Sequence, residues 1–146
     1  MILSVCVKLK DIYEQGCHFK WIRPHACPRC NSVRVWGHGY VLACFDGFAT
    51  GLWLRRFRCP DCSCIIRMKP KGYFPRFQTP IHTILVCLTQ RLSGDTWNAG
   101  LSTSRQRHWL AALKRKTMAC FGMGTDWIAA FYRLRKRGLI PVSRAI

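Results

Sequence analysis

Two short cysteine motifs decide how this chain folds: residues 27–30 read CPRC and residues 59–62 read CPDC. In each C-x-x-C turn two thiolates can bind one ion, and Zn²⁺ takes four such ligands in a tetrahedron. Both motifs carry Pro after the first Cys, which argues against chance pairs among the ten cysteines. The spacing therefore predicts one structural Zn²⁺, with every coordination position closed, held by Cys27, Cys30, Cys59 and Cys62.

The other cysteines and the nearby histidines are predicted not to be ligands. A redox role for the C-x-x-C pairs is disfavoured because the βαβ context of such motifs is missing. Cys64, two residues after Cys62, is the one competing ligand, although C-x-C spacing suits a metal-binding turn less well. The scattered thiols are expected to behave as small hydrophobic side chains, and the flanking histidines to lie in loops: Cys6, Cys17, Cys44, Cys87, Cys120, His25 and His38.

The residues around the motifs indicate a zinc ribbon. Short β-type runs occur at 33–36, 52–58 and 65–68, and a long loop rich in glycine joins the first two. Trp36, Trp53 and Phe57 are expected to fill a thin core. The N-terminal residues 1–26 allow one strand but contain nothing diagnostic, so we predict a three-stranded ribbon over residues 27–77.

Helical periodicity begins after residue 78. Thr79 is the predicted N-cap of a helix whose first residue is Pro80 and which ends at Ser93-Gly94, with one further turn expected over 95–99. Ser102 is the predicted N-cap of a helix that reaches Lys116 and whose inner face is Trp109, Leu110 and Leu113. A third helical stretch is expected within residues 118–138, with Thr125 as its N-cap and Gly138 as its end. The predicted fold is α+β: the small ribbon, a helix-turn-helix-like module over 78–117, and a basic helix and tail over 118–146.

The charge points to a polyanionic partner. Lysine and arginine number 24 against six acids, a formal charge of +18, which four thiolates and one Zn²⁺ reduce to about +16. Six acids are too few for paired-carboxylate glycosidases or two-metal nucleases, and GFATG and GMG lack the Lys-Ser/Thr of a phosphate-binding loop. We therefore expect no enzymatic activity. Neither a signal peptide nor an apolar run of membrane-spanning length is visible, so we expect a reducing, intracellular location and no membrane partner.

The segments CPRCNSVRVWGHG, LRRFRCPDC and STSRQRHWL together resemble the zinc-ribbon and helix-turn-helix module at the N-terminus of many bacterial insertion-sequence transposases. The resemblance covers residues 27–114 and implies that the four cysteines are metal ligands and that residues 102–110 form the recognition helix. The segment 94–100 is about one turn shorter than in that family. The catalytic domain is missing, since Asp126 is the only carboxylate after Asp95. The implied protein is a DNA-binding accessory or regulatory factor of a mobile element, associated with the bacterial nucleoid.

Basic and polar residues on two elements are the predicted nucleic-acid contacts. On the recognition helix the first turns would meet base edges and phosphates of double-stranded DNA, and its end would meet flanking phosphates. These residues are Ser104, Arg105, Arg107, His108, Lys114, Arg115 and Lys116, with Arg56 and Arg58 on a ribbon strand. The alternatives are a solvated basic face, a zinc ribbon that binds RNA or the ribosome, and a module that binds a protein partner or a second copy of the chain.

Overall fold

The computed structural model describes residues 1–144 and separates the chain into two units, Met1–Thr79 and Pro80–Ile146. The first unit contains a four-stranded sheet: β1 (Ile2–Val5), β2 (Trp36–Ala43), β3 (Leu52–Arg58) and β4 (Ile65–Pro70), in the spatial order β1-β4-β3-β2. The second unit contains three helices. The predicted α+β class is therefore confirmed.

The sheet has one strand more than the predicted ribbon. β2, β3 and β4 are antiparallel neighbours, and β1 pairs in parallel with β4. The N-terminal ammonium of Met1 donates to the Ile65 carbonyl at 2.7 Å, and the N–H of Lys71 donates to the Val5 carbonyl at 2.8 Å. Because Leu3 and Val5 pack on the apolar cluster of β4, the N-terminal segment completes the sheet.

One predicted strand boundary was wrong. The run at 33–36 becomes a strand only at Trp36, and β2 continues through Gly37 and Gly39, which the sequence placed in a loop. The pairing of β2 with β3 shifts register between Gly37 and Tyr40, and Gly39 adopts a φ of +75° there. A bulge of this kind needs the conformational freedom of glycine, so glycine here marks an irregular strand.

Two apolar clusters form the core of the sheet unit. One contains Val35, Phe57, Ile66 and Met68 together with buried cysteines. The other contains Phe45, Leu52, Leu54 and Ile12, and Ile12 belongs to a helix that the sequence did not predict, α1 (Leu9–Gln15). Alternation along β3 directs Leu52 and Leu54 to one face of the sheet and Phe57 to the other.

The expected burial of the ribbon aromatics holds only for Phe57. Trp36 is 55% exposed and Trp53 is 40% exposed. Trp36 lies opposite Arg58 at the start of β2, with the Arg34 guanidinium 5.7 Å from its ring centroid. The two clusters already fill the core with smaller side chains, so these indoles remain at the surface.

The helical unit consists of α2 (Ile81–Gly94), α3 (Thr103–Phe121) and α4 (Trp127–Lys136). Ser102 is confirmed as the N-cap of α3, because its hydroxyl accepts the N–H of Arg105 at 3.4 Å. The other predicted caps were wrong. The N-cap of α2 is Pro80 rather than Thr79, whose hydroxyl donates to the Asp46 carboxylate. The N-cap of α4 is Asp126 rather than Thr125.

The segment between α2 and α3 is not helical, contrary to the predicted turn at 95–99. Asp95 adopts a left-handed conformation that ends α2, and α3 runs past Lys116 to Phe121. The core of this unit comes from one face of each helix: Ile84, Leu88, Trp109, Leu113, Phe131 and Leu134. Over residues 1–144, no helix has the combined length and apolar character needed to cross a bilayer.

Candidate metal centre

The two cysteine motifs fold as equivalent turns, which we call the knuckles: residues 27–32 and 59–64. The N–H of Cys27 donates to the Ser32 carbonyl at 2.8 Å, and the N–H of Cys59 donates to the Cys64 carbonyl at 2.9 Å. The residue after the second Cys is left-handed in both, with φ of 59° at Asn31 and 58° at Ser63. Each knuckle therefore directs two thiols towards the same point.

The four sulfurs of the knuckles meet in one cluster. All Sγ atoms of Cys27, Cys30, Cys59 and Cys62 lie within 4.8 Å of one another. The Cys27–Cys62 and Cys30–Cys59 sulfur separations are 3.6 and 3.5 Å. A tetrahedral site with metal–sulfur bonds of ~2.3 Å has sulfurs about 3.8 Å apart, so the cluster fits one metal ion of that geometry. The structure thus brings together the four residues that the sequence selected.

Cys64 is not part of this cluster. Its side chain is buried in the apolar core of the sheet, and its thiol lies 3.8 Å from the Ile65 carbonyl oxygen. Cys64 closes the second knuckle through its backbone carbonyl, and its side chain packs into the apolar core instead of facing the four sulfurs. Cys64, the one alternative metal ligand that the sequence offered, is therefore a thiol of the apolar core.

A cation would stabilise the thiolates of this cluster. The backbone N–H of Cys30 lowers the pKa of Cys27 to about 6. The backbone N–H of Cys64 favours the Cys62 thiolate, but burial and the neighbouring thiols outweigh it and raise the pKa of Cys62 to about 12. Adjacent thiolates repel, so all four sulfurs can ionise together only around a positive ion. The donor set is that of a soft divalent metal.

Asp61 connects the knuckles and was not singled out in the sequence. Its carboxylate accepts hydrogen bonds from the Arg34 guanidinium at 2.8 Å and from the Ser32 hydroxyl, so the second knuckle is tied to the last residue of the first and to Arg34 just beyond it. The sequence did offer a signal for Asp61, because it is one of only six acidic residues and lies between Cys59 and Cys62. Asp61 positions the turns and does not enter the sulfur cluster.

The predicted DNA contacts on α3 lie mostly on its outer surface. Arg107 stands over the Trp97 ring at 5.9 Å, and Lys114 over Trp127 at 5.7 Å. His108 accepts a hydrogen bond from the Arg144 guanidinium at 2.9 Å. The exposed members of the set are Ser104, Arg107, Lys114 and Arg115, and the half-buried ones are Arg105 and His108.

Lys116 does not belong to that outer surface. It is only 4% exposed, and its ammonium donates to the Ile140 carbonyl and to the Ser143 hydroxyl. It follows Trp109 and Leu113 at helical spacing on the inner face of α3, which the sequence assigned correctly for those two residues. Its predicted role as a phosphate contact is therefore wrong, and it anchors the segment after α4 instead.

The two ribbon arginines differ in environment. Arg58 is exposed beside Trp36, whereas Arg56 is half-buried opposite Arg67 of β4, and its Nε has no hydrogen-bond acceptor.

No protein family, curated protein or solved structure matches this chain.

Proposed function

We propose that this protein binds double-stranded DNA through α3 and is stabilised by one structural Zn²⁺ in the knuckles. The exposed basic face at the start of a well-capped helix is the observation that carries the DNA-binding proposal. Together with the resemblance of the ribbon and helices to transposase N-terminal modules, it supports an accessory or regulatory role for a mobile element, at the nucleoid of a bacterial cytoplasm.

The donor set supports zinc in particular. Zn²⁺ prefers four thiolates in a tetrahedron, and a site closed by four sulfurs leaves no position for a reactive water. When bound, the ion would hold the two knuckles together and so fix the ends of β2, β3 and β4. Its contribution is to folding rather than to chemistry on a substrate.

Elemental analysis tests the metal site. The purified protein should contain about one zinc per chain, and Cys59→Ser should lose it because a hydroxyl is a poor zinc ligand. Cys17→Ser is the matched control, since Cys17 is exposed and lies outside the cluster. Full zinc content in Cys59→Ser would show that these sulfurs are not the ligands.

The carboxylates of residues 80–146 are occupied within the protein. This part of the chain contains only Asp95 and Asp126. Asp95 pairs with Arg91 at 3.0 Å, and Asp126 accepts the N–H of Ala129 at 2.8 Å as the cap of α4. The excess of exposed cations on these helices is therefore suited to the phosphates of a nucleic acid. The same shortage of free acids supports binding without cleavage, since two-metal phosphoryl transfer needs carboxylates to hold the ions.

The start of α3 is held rigidly, as a DNA-reading helix must be. The buried side chain of Gln106 donates to the carbonyls of Asn98 at 2.8 Å and Leu101 at 3.0 Å, and accepts the N–H of Asn98 at 2.9 Å. These bonds fix the preceding loop against the first turns of the helix. Ser104 and Arg107 are thereby presented on a preorganised surface.

Equilibrium binding to a selected duplex tests the role of α3. Replacing a groove-facing arginine, Arg105→Ala or Arg107→Ala, should weaken binding by about 1–3 kcal/mol and relax the preference at one base pair. The control is Arg137→Ala beyond the end of α4, which should weaken all duplexes equally. If both α3 variants bind as the wild type does while Arg56→Ala abolishes binding, the sheet is the DNA-binding element.

An RNA-binding role is the second candidate, and one observation favours it. The exposed Trp36 ring, with Arg34 beside it and Arg58 opposite, offers a surface on which an unpaired base can stack. Competition between the duplex and a structured RNA separates the two. Tighter binding of the RNA, lost in Trp36→Ala and retained in Arg107→Ala, would assign the function to the sheet.

A further inference from the structure

A second basic site lies on the sheet, apart from the cysteine cluster. Arg67 and Lys69 are alternate residues of β4 and therefore face the same side. Arg76 joins them from the loop after β4, and Phe77 and Gln78 complete much of the wall. The resulting cavity has a volume of about 220 Å³.

Lys69 is buried in this cavity without an acidic partner. It is 6% exposed, and its ammonium donates to the carbonyl oxygens of Phe74 at 2.8 Å and Phe77 at 3.1 Å. Both acceptors are neutral, and one of the three N–H directions of the ammonium remains unused. Burial and the charge of Arg67 lower the pKa of Lys69 to about 8.

The arginines beside Lys69 also lack anions. Arg56 lies directly opposite Arg67 on β3, and the Nε atoms of both are buried with no acceptor. Across residues 1–144, no ion pair joins Arg56, Arg67, Lys69 or Arg76 to a carboxylate. The nearby Asp46 directs its carboxylate to the Thr79 hydroxyl at 2.5 Å.

Such a cluster is unfavourable unless an anion enters it. Like charges directly opposite on neighbouring strands destabilise a sheet, and buried donors without acceptors cost free energy. Arginine cannot relieve the repulsion by losing its proton. A group with several charged oxygens in the cavity would offer acceptors to Arg67 and to the spare ammonium direction of Lys69 together, and its charge would offset the repulsion from Arg56.

We propose that this cavity, bounded by Arg67, Lys69 and Arg76, binds one phosphate group. The cavity is smaller than the ~300–1,000 Å³ of sites for drug-sized ligands, so it suits a single anionic group rather than a whole nucleotide. The phosphate belongs either to a nucleic-acid backbone or to free inorganic phosphate, and both present the same oxygens to the arginines. The inference does not depend on DNA binding by α3.

Titration of the zinc-loaded, full-length protein with inorganic phosphate tests the site. The side-chain Nε–H signal of Arg67, which lines the cavity, should shift in ¹H–¹⁵N spectra as its hydrogen gains an acceptor. Arg76→Gln should raise the Kd for phosphate at least about tenfold, because a charge-assisted bond is lost. The matched control, Lys71→Gln, removes the same charge from an exposed residue of the same loop and should change the Kd less than about twofold.

The source of the phosphate follows from a second titration with a short duplex. Displacement of phosphate by the duplex identifies the nucleic-acid backbone as the ligand, and binding of the duplex without displacement identifies free phosphate. Arg76 is exposed, so its variant tests the site even where Arg67→Gln fails to fold. The proposal is overturned if neither ligand shifts the Arg67 signal, or if Arg76→Gln and Lys71→Gln behave alike. If Arg107→Ala leaves DNA binding unchanged, the proposed role of α3 is contradicted and the proposed phosphate site is unaffected.

Discussion

Lys69 shows what burial does to a single side chain. The sheet and the loop after it remove its ammonium from water, and two carbonyl oxygens replace part of its hydration. The Tyr73 ring lies 5.9 Å from the same nitrogen. Neither contact supplies a negative charge, so the protonated form of Lys69 is less favourable in the folded protein than in the unfolded chain.

The resulting pH dependence has a definite sign. The folded pKa of about 8 lies below the usual value of 10.5, so between these pH values the unfolded chain holds more protons at this group. The free energy of unfolding should therefore rise with pH across this window, by up to about 3 kcal/mol from Lys69 alone. Urea denaturation in phosphate-free buffer at pH 7.5, 8.5 and 9.5 measures the rise.

The variant Lys69→Met isolates this contribution, because it keeps the length of the side chain and removes the titrating group. Both proteins carry the same cysteine cluster, so the difference between the two profiles belongs to Lys69. Wild-type stability should increase relative to Lys69→Met as the pH rises. Parallel profiles would mean that Lys69 keeps its ordinary pKa.

Single residues also show what the sequence could predict. The four clustered cysteines followed from spacing, because C-x-x-C turns bring their sulfurs together through local backbone geometry. The exposure of Trp36 and the burial of Lys116 did not follow, because each depends on which partner segment covers it. Lys116 is covered by the segment that contains Ile140 and Ser143, which lies more than twenty residues further along the chain.

Helix α3 presents two lysines with opposite environments. Lys114 is exposed beside Trp127, and Lys116 is buried on the inner face. Lys114→Gln should reduce the slope of log binding constant against log salt by about one unit and leave stability within about 0.5 kcal/mol, because it loses one phosphate contact. DNA titrations at several salt concentrations measure the slope.

Lys116→Gln is the matched comparison, with the same change two residues away. It should destabilise the helical unit by about 1–3 kcal/mol, since the Ile140 carbonyl loses its buried donor, and leave the salt slope unchanged. Thermal unfolding followed by circular dichroism measures the loss. A reduced slope in Lys116→Gln with unchanged stability would reverse the assignment of the two faces.

Whole elements were predicted where local pattern decides them. β3 and the cap of α3 follow from alternation and from Ser102. α1 was not predicted, because its seven residues carry one buried side chain, Ile12, and no capping side chain. The position of β1 in the sheet could not be predicted from local pattern either, because its parallel pairing with β4 depends on contacts between distant parts of the chain.

At the scale of the molecule, the metal centre belongs to one unit only. All four cysteines of the cluster lie within Met1–Thr79, and the core of α2, α3 and α4 lies in the other unit. A zinc chelator added to the full chain should therefore increase hydrogen exchange at the Cys27 and Cys59 amides, which close the knuckles. The amides of α3 should remain protected. Equal loss of protection in α3 would show that its stability depends on the metal.

The knuckles also change the connectivity through which the sheet closes. Ile2 pairs with Arg67, so β1 must meet a strand that lies roughly 65 residues further along the chain. An ion shared by Cys27 and Cys62, which are separated by 35 positions, would bypass about half of that path. Halving a loop lowers its closure entropy by about 0.6 kcal/mol. We therefore expect loss of a bound ion to weaken the parallel edge of the sheet, although β1 contributes none of the four cysteines.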